Sequence, residues 1–442
     1  FRSGRINYGL MDRYLLTASL RYDGSSRLSE GNKWALFPSA AIAWRITEED
    51  FAKNLNWLSN LKLRFSYGQA GNTNSVSPYA SEGTISGSVY YPFGTSTSVG
   101  NLPANIANPM LTWERTSEYN VGLDFGFLNQ RISGNIEYYN RTTNDLLMKR
   151  NIPVHLGYSS VTSNVGSVRN SGFELQLNTA NIMTKNFAWN TTINLAYNKN
   201  EIVSLADEED LSNYSIHLQG MRGRYSDKRF IGKPVDTNWT QNTIGVWQLG
   251  EEEEAAKYGC VPGNFKIKDY NNDGKLTDDD YIIDGKRTPD WTGGMTNMFK
   301  IYDFDFSFHM YFQAGATQYD RFFENFALEW NSQNFNNLRT NYWTPENPSN
   351  TMGRPSQMGS RGNIAYERTD FLKVSYITLG YTLNKRLMSK WGLDNARIYV
   401  TVQNPFILTK FRGLDPEQPD LTNIGDTDGM TMNALLGVNI SF

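Results

Sequence analysis

The chain has few of the residues on which disulfide-rich, zinc-binding and nucleic-acid-binding proteins depend. Its 442 residues include one cysteine, Cys260, so the sequence excludes an internal disulfide framework and a cysteine-rich zinc site. The three histidines, His155, His217 and His309, share no metal-ligand spacing. The net charge of −3 lacks the basic excess that a nucleic-acid partner requires.

Signatures of catalysis and of membrane helices are also missing from the sequence. There is no phosphate-binding G-x-x-x-x-G-K-[ST] loop, and no histidine sits beside a plausible nucleophile pattern. No run approaches the roughly 18 apolar residues of a transmembrane helix, and the mean hydropathy is −0.53. We therefore predict neither enzymatic activity nor a required cofactor. The hydrophilic mean hydropathy does not exclude membrane-spanning β-strands, because these alternate apolar and polar residues.

Alternation of apolar and polar side chains is what the sequence has in abundance. In RYLLTASLRYDG, at 13–24, the apolar stripe of an extended chain comprises Tyr14, Leu16, Ala18, Leu20 and Tyr22, and the opposite face is mostly polar. The pattern predicts thirteen strands, near residues 2–10, 13–23, 35–46, 60–69, 113–127, 131–145, 166–181, 187–199, 291–302, 304–315, 369–384, 395–409 and 433–442.

The aromatic ends of the apolar stripes favour a lipid bilayer over a protein core. Tyr and Trp settle at the two membrane interfaces, around an apolar band about 25 Å tall. From Tyr14 to Tyr22 a strand rises roughly 26 Å, or about 20 Å of height at a tilt of ~40°. The opposite faces carry Lys62, Arg64 and Asp124, which suit a wet lumen. We expect seven aromatic residues at the rims of the lipid-facing surface: Tyr14, Tyr22, Trp44, Tyr67, Phe187, Trp189 and Tyr197.

Short and long connections alternate along the chain. Two-to-four-residue links such as 11–12 and 128–130 alternate with longer ones, of which 70–112, 200–290 and 316–368 are the longest. Membrane barrels place short turns on the periplasmic side and long loops outside. The predicted fold is therefore all-β, an antiparallel transmembrane β-barrel of the outer membrane with long extracellular loops. A soluble β-propeller or sandwich, or a polysaccharide-binding all-β module, is the alternative.

Several ordered blocks of the sequence resemble the SusC/RagA-type TonB-linked outer-membrane transporters. They are GRINYGLMDRYLLTASLRYDGSSRL, NKWALFPSAAIAWRITEEDF, LSNLKLRFSYGQAGN, LTWERTSEYNVGLDFGFLNQRISGNIEYYNRTTNDLL, NVGSVRNSGFELQLN, VPGNFKIKDYNNDGKLTDDDYIIDGKRTPDWTGGMTN and the ending LLGVNISF. The resemblance implies a plugged barrel energised by TonB, which imports oligosaccharides or peptides with a SusD-like surface lipoprotein as partner. The alternative function is a non-transporting outer-membrane binding or adhesin barrel.

The resemblance covers only the C-terminal part of such a transporter. We find no plug domain and no TonB-contact segment within 1–442. The first and last predicted strands both run towards the short-turn side, which requires an odd number of strands, whereas bacterial single-chain barrels close with an even number. We expect the chain to supply about thirteen strands of a 22-stranded barrel. The missing strands, the plug and the contact with TonB would then come from a preceding segment of the same gene product or from a separate chain.

The sharpest local motif is DYNNDGKLTDDD, at 269–280. Its spacing matches the calcium loop D-x-[DN]-x-[DN]-G with an acidic twelfth position, although flanking EF-hand helices are not evident. The candidate ligands are the side chains of Asp269, Asn271, Asp273 and Asp280 and the carbonyl of Lys275. Two interpretations are open, a structural Ca²⁺ site and an Asx-rich turn without metal.

The sequence assigns no substrate-binding residue. Aromatic residues in the predicted loops could stack on sugar rings, line an interface with the lipoprotein, or pack within the loops themselves. These residues are Tyr90, Tyr91, Trp239, Trp247, Trp330, Tyr342 and Trp343.

Overall fold

The computed structural model describes residues 1–152, 158, 160–328, 340–355, 360–419 and 430–442. Thirteen strands form one sheet in which spatial order follows chain order. They are β1 (Arg2–Leu10), β2 (Tyr14–Gly24), β3 (Trp34–Arg45), β4 (Leu58–Asn72), β5 (Glu114–Phe127), β6 (Ile132–Asn144), β7 (Ser167–Met183), β8 (Phe187–Ser204), β9 (Trp291–Ile301), β10 (Phe304–Ala314), β11 (Phe371–Thr382), β12 (Asn395–Thr409) and β13 (Asn433–Ser441). The predicted all-β fold and its thirteen strands are confirmed.

Several strands are longer than their apolar stripes. β4 reaches Asn72 and β8 reaches Ser204, beyond the predicted ends at 69 and 199. Pairing of β4 with β5 continues to Asn72 and Glu114, whose side chains are hydrogen-bonded at 2.8 Å. The backbone ladder can extend through polar residues because its hydrogen bonds do not depend on side-chain hydrophobicity. The alternation therefore predicted the middles of these strands better than their ends.

Short turns reverse the chain at one end of the strands. Met11 and Asp12 join β1 to β2 with φ values of 53° and 54°. Left-handed conformations at both central residues are those of a type I′ turn, whose twist matches that of the flanking strands. Leu128, Asn129 and Gln130 adopt similar conformations between β5 and β6.

Two compact units make up the chain. The first comprises 1–173, 199–208 and 231–235. One face of its strands exposes apolar side chains, among them Leu20, Leu63 and Ile136. The rims of this face are aromatic: Tyr14 and Trp44 both donate to Glu49, at 2.7 and 3.0 Å, and Tyr22 stacks on Trp34.

The second unit comprises 174–198, 209–230 and 236–442. Its strands also expose one apolar face, which includes Leu379 of β11, Val400 of β12 and Leu436 of β13. Soluble monomers rarely expose apolar surfaces of such extent.

The connections contain short strands and helices of their own. The strands are Ile85–Phe93, Ser96–Pro103, Leu147–Asn151, Ser160–Asn164, Glu209–Asp210, Arg222–Arg224, Arg229–Phe230, Thr237–Gln241, Thr243–Val246, Phe265–Ile267, Tyr281–Lys286, Thr317–Tyr319 and Tyr366–Arg368. Among the described residues, the α-helices are α1 (Glu252–Lys257), α2 (Arg321–Phe323) and α3 (Lys385–Lys390), with 3-10 turns at Ile46–Glu48, Ile216–Leu218, Tyr225–Asp227 and Asp278–Asp280 and a π-turn at Glu324–Leu328. Within the described ranges, every helix is too short or too polar to cross a membrane.

Buried residues are concentrated in the connections. In the first unit a core of Leu28, Ala35, Phe37, Val76, Leu111 and Trp113 lies where 70–112 meets the strand ends. In the second unit, we define the loop core as Val246, Phe265, Ile267, Phe323, Leu328, Trp343, Met352 and Ala365. A smaller cluster consists of Leu211, Leu218, Tyr225 and Phe230. The long connections are therefore packed structures with their own hydrophobic stabilisation.

Candidate functional site

A network of four charged side chains lies on the polar face of the first unit. Lys62 Nζ is 2.7 Å from Asp124 Oδ2. Arg64 Nη2 bridges Asp124 Oδ1 and Glu137 Oε1, each at 2.7 Å. Together these contacts connect β4, β5 and β6. Such groups are costly in hydrocarbon, so this face belongs on the side of the sheet away from lipid.

A glycine makes room for the bridging arginine. Gly122 is opposite Arg64 on β4 and opposite Glu137 on β6. A Cβ at position 122 would lie 2.9 Å from Arg64 Nη2. Without that Cβ, the guanidinium can lie flat across β5 and reach carboxylates on both sides. The sequence placed these residues on the polar face but did not reveal the bridge, which depends on the register of three strands.

Next to this network, the polar face is concave. A cavity of about 710 Å³ is lined by short side chains, including Ser39, Ala41 and Ser66, and by longer polar ones. Arg141 at its edge donates to Glu118 at 2.7 Å. Hydroxyl and guanidinium groups of this kind can bind sugar hydroxyls or peptide carbonyls.

The polar face of the second unit carries a separate ion pair. Arg397 Nε on β12 donates to Asp305 Oδ1 on β10 at 2.8 Å, and the pair reaches across Gly380 of β11. His309, on the same face, is hydrogen-bonded to Thr296 at 2.9 Å through Nδ1. His309 is therefore part of the polar wall of these strands.

The loop aromatics divide into buried and exposed groups. Trp247 and Trp343 are only 4% and 5% exposed, and Trp239 packs against the cluster around Phe230. Tyr90 is 67% exposed. Tyr91 and Tyr342 are exposed as well, whereas Trp330 is outside the described residues. Trp239, Trp247 and Trp343 therefore stabilise the loops, and the exposed tyrosines are available to ligands or partners.

The predicted calcium loop folds as a series of Asx turns. Asn271 Oδ1 accepts the backbone N–H of Asp273, and Asp273 Oδ1 accepts that of Lys275, at 3.1 and 2.8 Å. Asp269 accepts the N–H groups of Asn272 and Gly274, at 2.6 and 2.9 Å.

The carboxylate at the twelfth position, Asp280, is hydrogen-bonded to the backbone of the same loop. Asp280 Oδ1 accepts from the N–H of Tyr270 and Oδ2 from that of Thr277, both at 2.8 Å. In the part of the chain that the structure describes, no three His, Cys, Asp or Glu side chains form a metal-binding group.

Burial alone would raise the pKa of Asp269, but hydrogen bonds from Gly274, Tyr258 and Asn272 outweigh the effect of burial and lower the pKa. Asp269 is therefore a carboxylate near neutral pH.

Asp320 is a fully buried carboxyl that the sequence analysis did not identify. Its Oδ1 accepts the N–H of Phe323 at 2.9 Å, capping α2. Its Oδ2 has no hydrogen-bond partner among the described residues. Burial and the charge of Glu367 raise its pKa to about 6, against opposing contributions from the Phe323 N–H and Arg412. A single aspartate before a short helix carries no sequence signal for such burial.

This burial predicts that the structure around α2 weakens as the pH rises from about 4 to 6. Folded Asp320 keeps its proton to about pH 6, whereas an unfolded aspartate loses it near 3.9. In that window the folded state binds more protons, so stability falls with pH. The expected change is at most about 3 kcal/mol. Hydrogen exchange at Phe323, corrected for intrinsic rates, should show this loss of protection.

Two variants separate Asp320 from other acids. Asp320→Asn keeps an acceptor for the Phe323 N–H and should flatten the profile, whereas Glu346→Gln, at an exposed acid of the same connection, should leave it unchanged. An unaltered profile in Asp320→Asn would show that another group titrates.

Comparison with known proteins places this sheet in a family. The family model described as TonB dependent receptor-like, beta-barrel, matches residues 4–404. TonB-dependent receptor SusC of Bacteroides thetaiotaomicron is 35% identical over 451 residues, covering 99% of this chain and 43% of the relative. TonB-dependent receptor P26 of Formosa agariphila is 33% identical over 457 residues, covering 99% and 46%. The chain thus spans less than half the length of these curated relatives.

Solved structures agree on the fold. The RagAB peptide importer in the 'open-open' state superposes on the whole chain with a TM-score of 0.79 at 24% identity, over 46% of its own chain. The relatives are receptors rather than enzymes, as the absence of catalytic motifs predicted. The matched family explains the two faces of the sheet, one turned to lipid and one to the barrel interior. The chain belongs to the TonB-dependent receptor family of outer-membrane β-barrels, and is of the SusC/RagA type.

Proposed function

We propose that the protein containing this chain imports oligosaccharides or peptides across the outer membrane, driven by TonB, together with a SusD-like surface lipoprotein. The observation that carries this proposal is the similarity to SusC over 99% of the chain. The RagAB relative is a peptide importer, so both substrate classes stay within the proposal.

The polar face supports import rather than surface adhesion. An adhesin needs only its exposed loops, whereas an importer needs an interior wall that polar solutes can pass. The bridge from Lys62 through Asp124 and Arg64 to Glu137, with the cavity beside it, supplies such a wall.

The long connections favour a protein partner on the extracellular side. The hairpin of Ile85–Phe93 and Ser96–Pro103 contains no charged residue, and Tyr90, Phe93 and Val99 are exposed on it. An uncharged surface of this kind is typical of a protein interface. Purification of the full-length protein in mild detergent should retain a stoichiometric lipoprotein. A receptor that consistently purifies alone would contradict this part of the proposal.

Transport itself is tested with labelled oligosaccharides and peptides in whole cells. Cells that express the full-length protein should internalise one class, and removal of TonB should abolish internalisation while surface binding persists. Equal internalisation with and without TonB would overturn the proposal. Binding without any internalisation would favour the adhesin alternative.

We also propose that the 269–280 loop binds Ca²⁺ with a structural role. Asp269, Asn271 and Asp273 present oxygen atoms from one short loop, and the carboxylate of Asp280 contacts the same backbone. Because an aspartate replaces the usual bidentate glutamate, we expect weak binding, with a dissociation constant of about 0.1–1 mM.

Terbium luminescence provides the measurement. Tb³⁺ emission sensitised by Tyr258 or Tyr270 should appear in the full-length protein and be displaced by Ca²⁺. Asp269→Asn should remove it, and Glu253→Gln, at an exposed acid of the same connection, should not. Full Tb³⁺ emission in Asp269→Asn would contradict the proposed Ca²⁺ site and support the interpretation of the loop as Asx turns without metal.

A further inference from the structure

The extracellular end of the lipid-facing surface differs between strands. At the ends of β8 and β9 the rim is aromatic, with the rings of Tyr197 and Trp291 4.9 Å apart. In the first unit, Tyr22 and Trp34 form the corresponding pair. At the ends of β10, β11 and β12 the rim has basic residues instead. A groove lies there, with a volume of about 1080 Å³.

The floor of the groove is a row of apolar side chains at one height. Phe312 of β10 pairs with Leu372 of β11, and Leu372 pairs with Leu408 of β12. Leu408 is 60% exposed and Leu372 36%. The row continues the apolar face of the same strands, so an acyl chain in the outer leaflet can lie along it.

Two cations stand at the rim of this floor. Arg368 and Lys410 both line the groove and are both exposed. Arg368 donates through Nε and Nη2 to Asp370 Oδ2, at 2.9 and 2.7 Å. Asp370 Oδ1 accepts the N–H of Gly315 at 2.7 Å. Asp370 therefore fixes the guanidinium at the rim and offsets part of its charge, and Lys410 supplies a second positive charge beside it.

The cations keep donors for a ligand. Arg368 Nη1 and the Lys410 ammonium have no hydrogen-bond or ion-pair partner in the described ranges. A guanidinium and an ammonium above an apolar floor match a phosphate attached to acyl chains, because both groups bind phosphate through charge-assisted hydrogen bonds.

We propose that this groove binds a phosphorylated, acylated lipid of the outer leaflet, its phosphate on Arg368 and Lys410 and an acyl chain along Phe312, Leu372 and Leu408. At the rims formed by Tyr22 with Trp34 and by Tyr197 with Trp291, an aromatic pair occupies the position that the two cations and the apolar groove occupy at β10–β12. The proposal depends on the outer-membrane location and is independent of what the protein imports.

The test is native mass spectrometry of the full-length protein in mild detergent, with bis-phosphorylated lipid A as the probe. We expect Lys410→Gln to weaken binding about tenfold, the loss of one charge-assisted contact, and Arg368→Gln combined with Lys410→Gln to weaken it further. Lys33→Gln removes one exposed charge from the rim next to Trp34 and should have no effect. Dephosphorylated lipid A, which can contact neither cation through a phosphate, should bind the native protein as weakly as the intact lipid binds the double variant.

Three results would overturn the proposal. The first is an equal effect of Lys410→Gln and Lys33→Gln on lipid binding, and the second is equal binding of phosphorylated and dephosphorylated lipid. The third is displacement of the lipid by inorganic phosphate at the same concentration, which would indicate an anion site without an acyl component. Leu408→Ser, which leaves both cations in place, should also weaken lipid binding. Unchanged heat-modifiability in gels establishes that each variant is folded.

Discussion

Replacing Ile136 with arginine should destabilise the membrane-inserted protein by about 2–4 kcal/mol. Ile136 lies near the middle of β6, paired with Leu123, which in turn pairs with Leu63 on β4. Ile136 is 46% exposed on the apolar face. A guanidinium at this depth must lie in hydrocarbon or distort the bilayer to reach water, and either costs free energy.

The neighbouring residue provides the matched control. Asn135 is on the opposite face, where it donates to Glu137 at 3.0 Å. An arginine there would face the carboxylates of Asp124 and Glu137, so Asn135→Arg should change stability little. Urea unfolding of the full-length protein in liposomes measures both variants. Similar losses in the two would show that the faces are assigned wrongly.

Replacing Phe265 with alanine should destabilise the loop core by about 3–5 kcal/mol, the usual cost of removing a buried phenylalanine. Phe265 is 2% exposed and packs among residues of two connections. Hydrogen bonds between them rely on this packing: Val246 donates to Asn350 Oδ1, and Trp343 Nε1 donates to Gln248 Oε1, at 2.9 and 3.0 Å.

The expected result is loss of loop structure while the sheet remains. Limited proteolysis of intact cells should cleave Phe265→Ala between 236 and 290, while heat-modifiability still reports a folded barrel. Val261→Ala, at a 43% exposed position four residues away, should resist cleavage as the native protein does. Uptake should fall with Phe265→Ala because the extracellular surface is no longer ordered. Equal resistance of both variants would mean that the loop core contributes little.

The sequence predicted the sheet far better than the connections. Most membrane strands alternate over about seven or more residues, as at 61–67 and 119–127, which is a strong local signal. Strands such as Thr237–Gln241 and Tyr281–Lys286 are short, and their paired residues are at least forty positions apart in the chain. No local pattern identifies a partner at that distance, so these elements were missed.

The charged wall was predicted in part, for a similar reason. Alternation placed Lys62, Arg64, Asp124 and Glu137 on one face, but which of them bond depends on register. The register of β4 with β5 shifts between Leu58 and Asn60, and such an irregularity cannot be read from alternation. Asp320 was missed because its burial arises from packing between connections.

The loop core also bears on how relatives of this protein diverge. Its members come from two stretches, Val246 to Ile267 and Phe323 to Ala365, which are separated in the chain by strands β9 and β10. A recombination event that replaced only one stretch would pack its new side chains against core residues of the other stretch that do not fit them. We therefore expect the two connections to be inherited as a pair. Changes of substrate specificity during evolution are then expected to alter both connections together, while the polar wall formed by the strands is preserved.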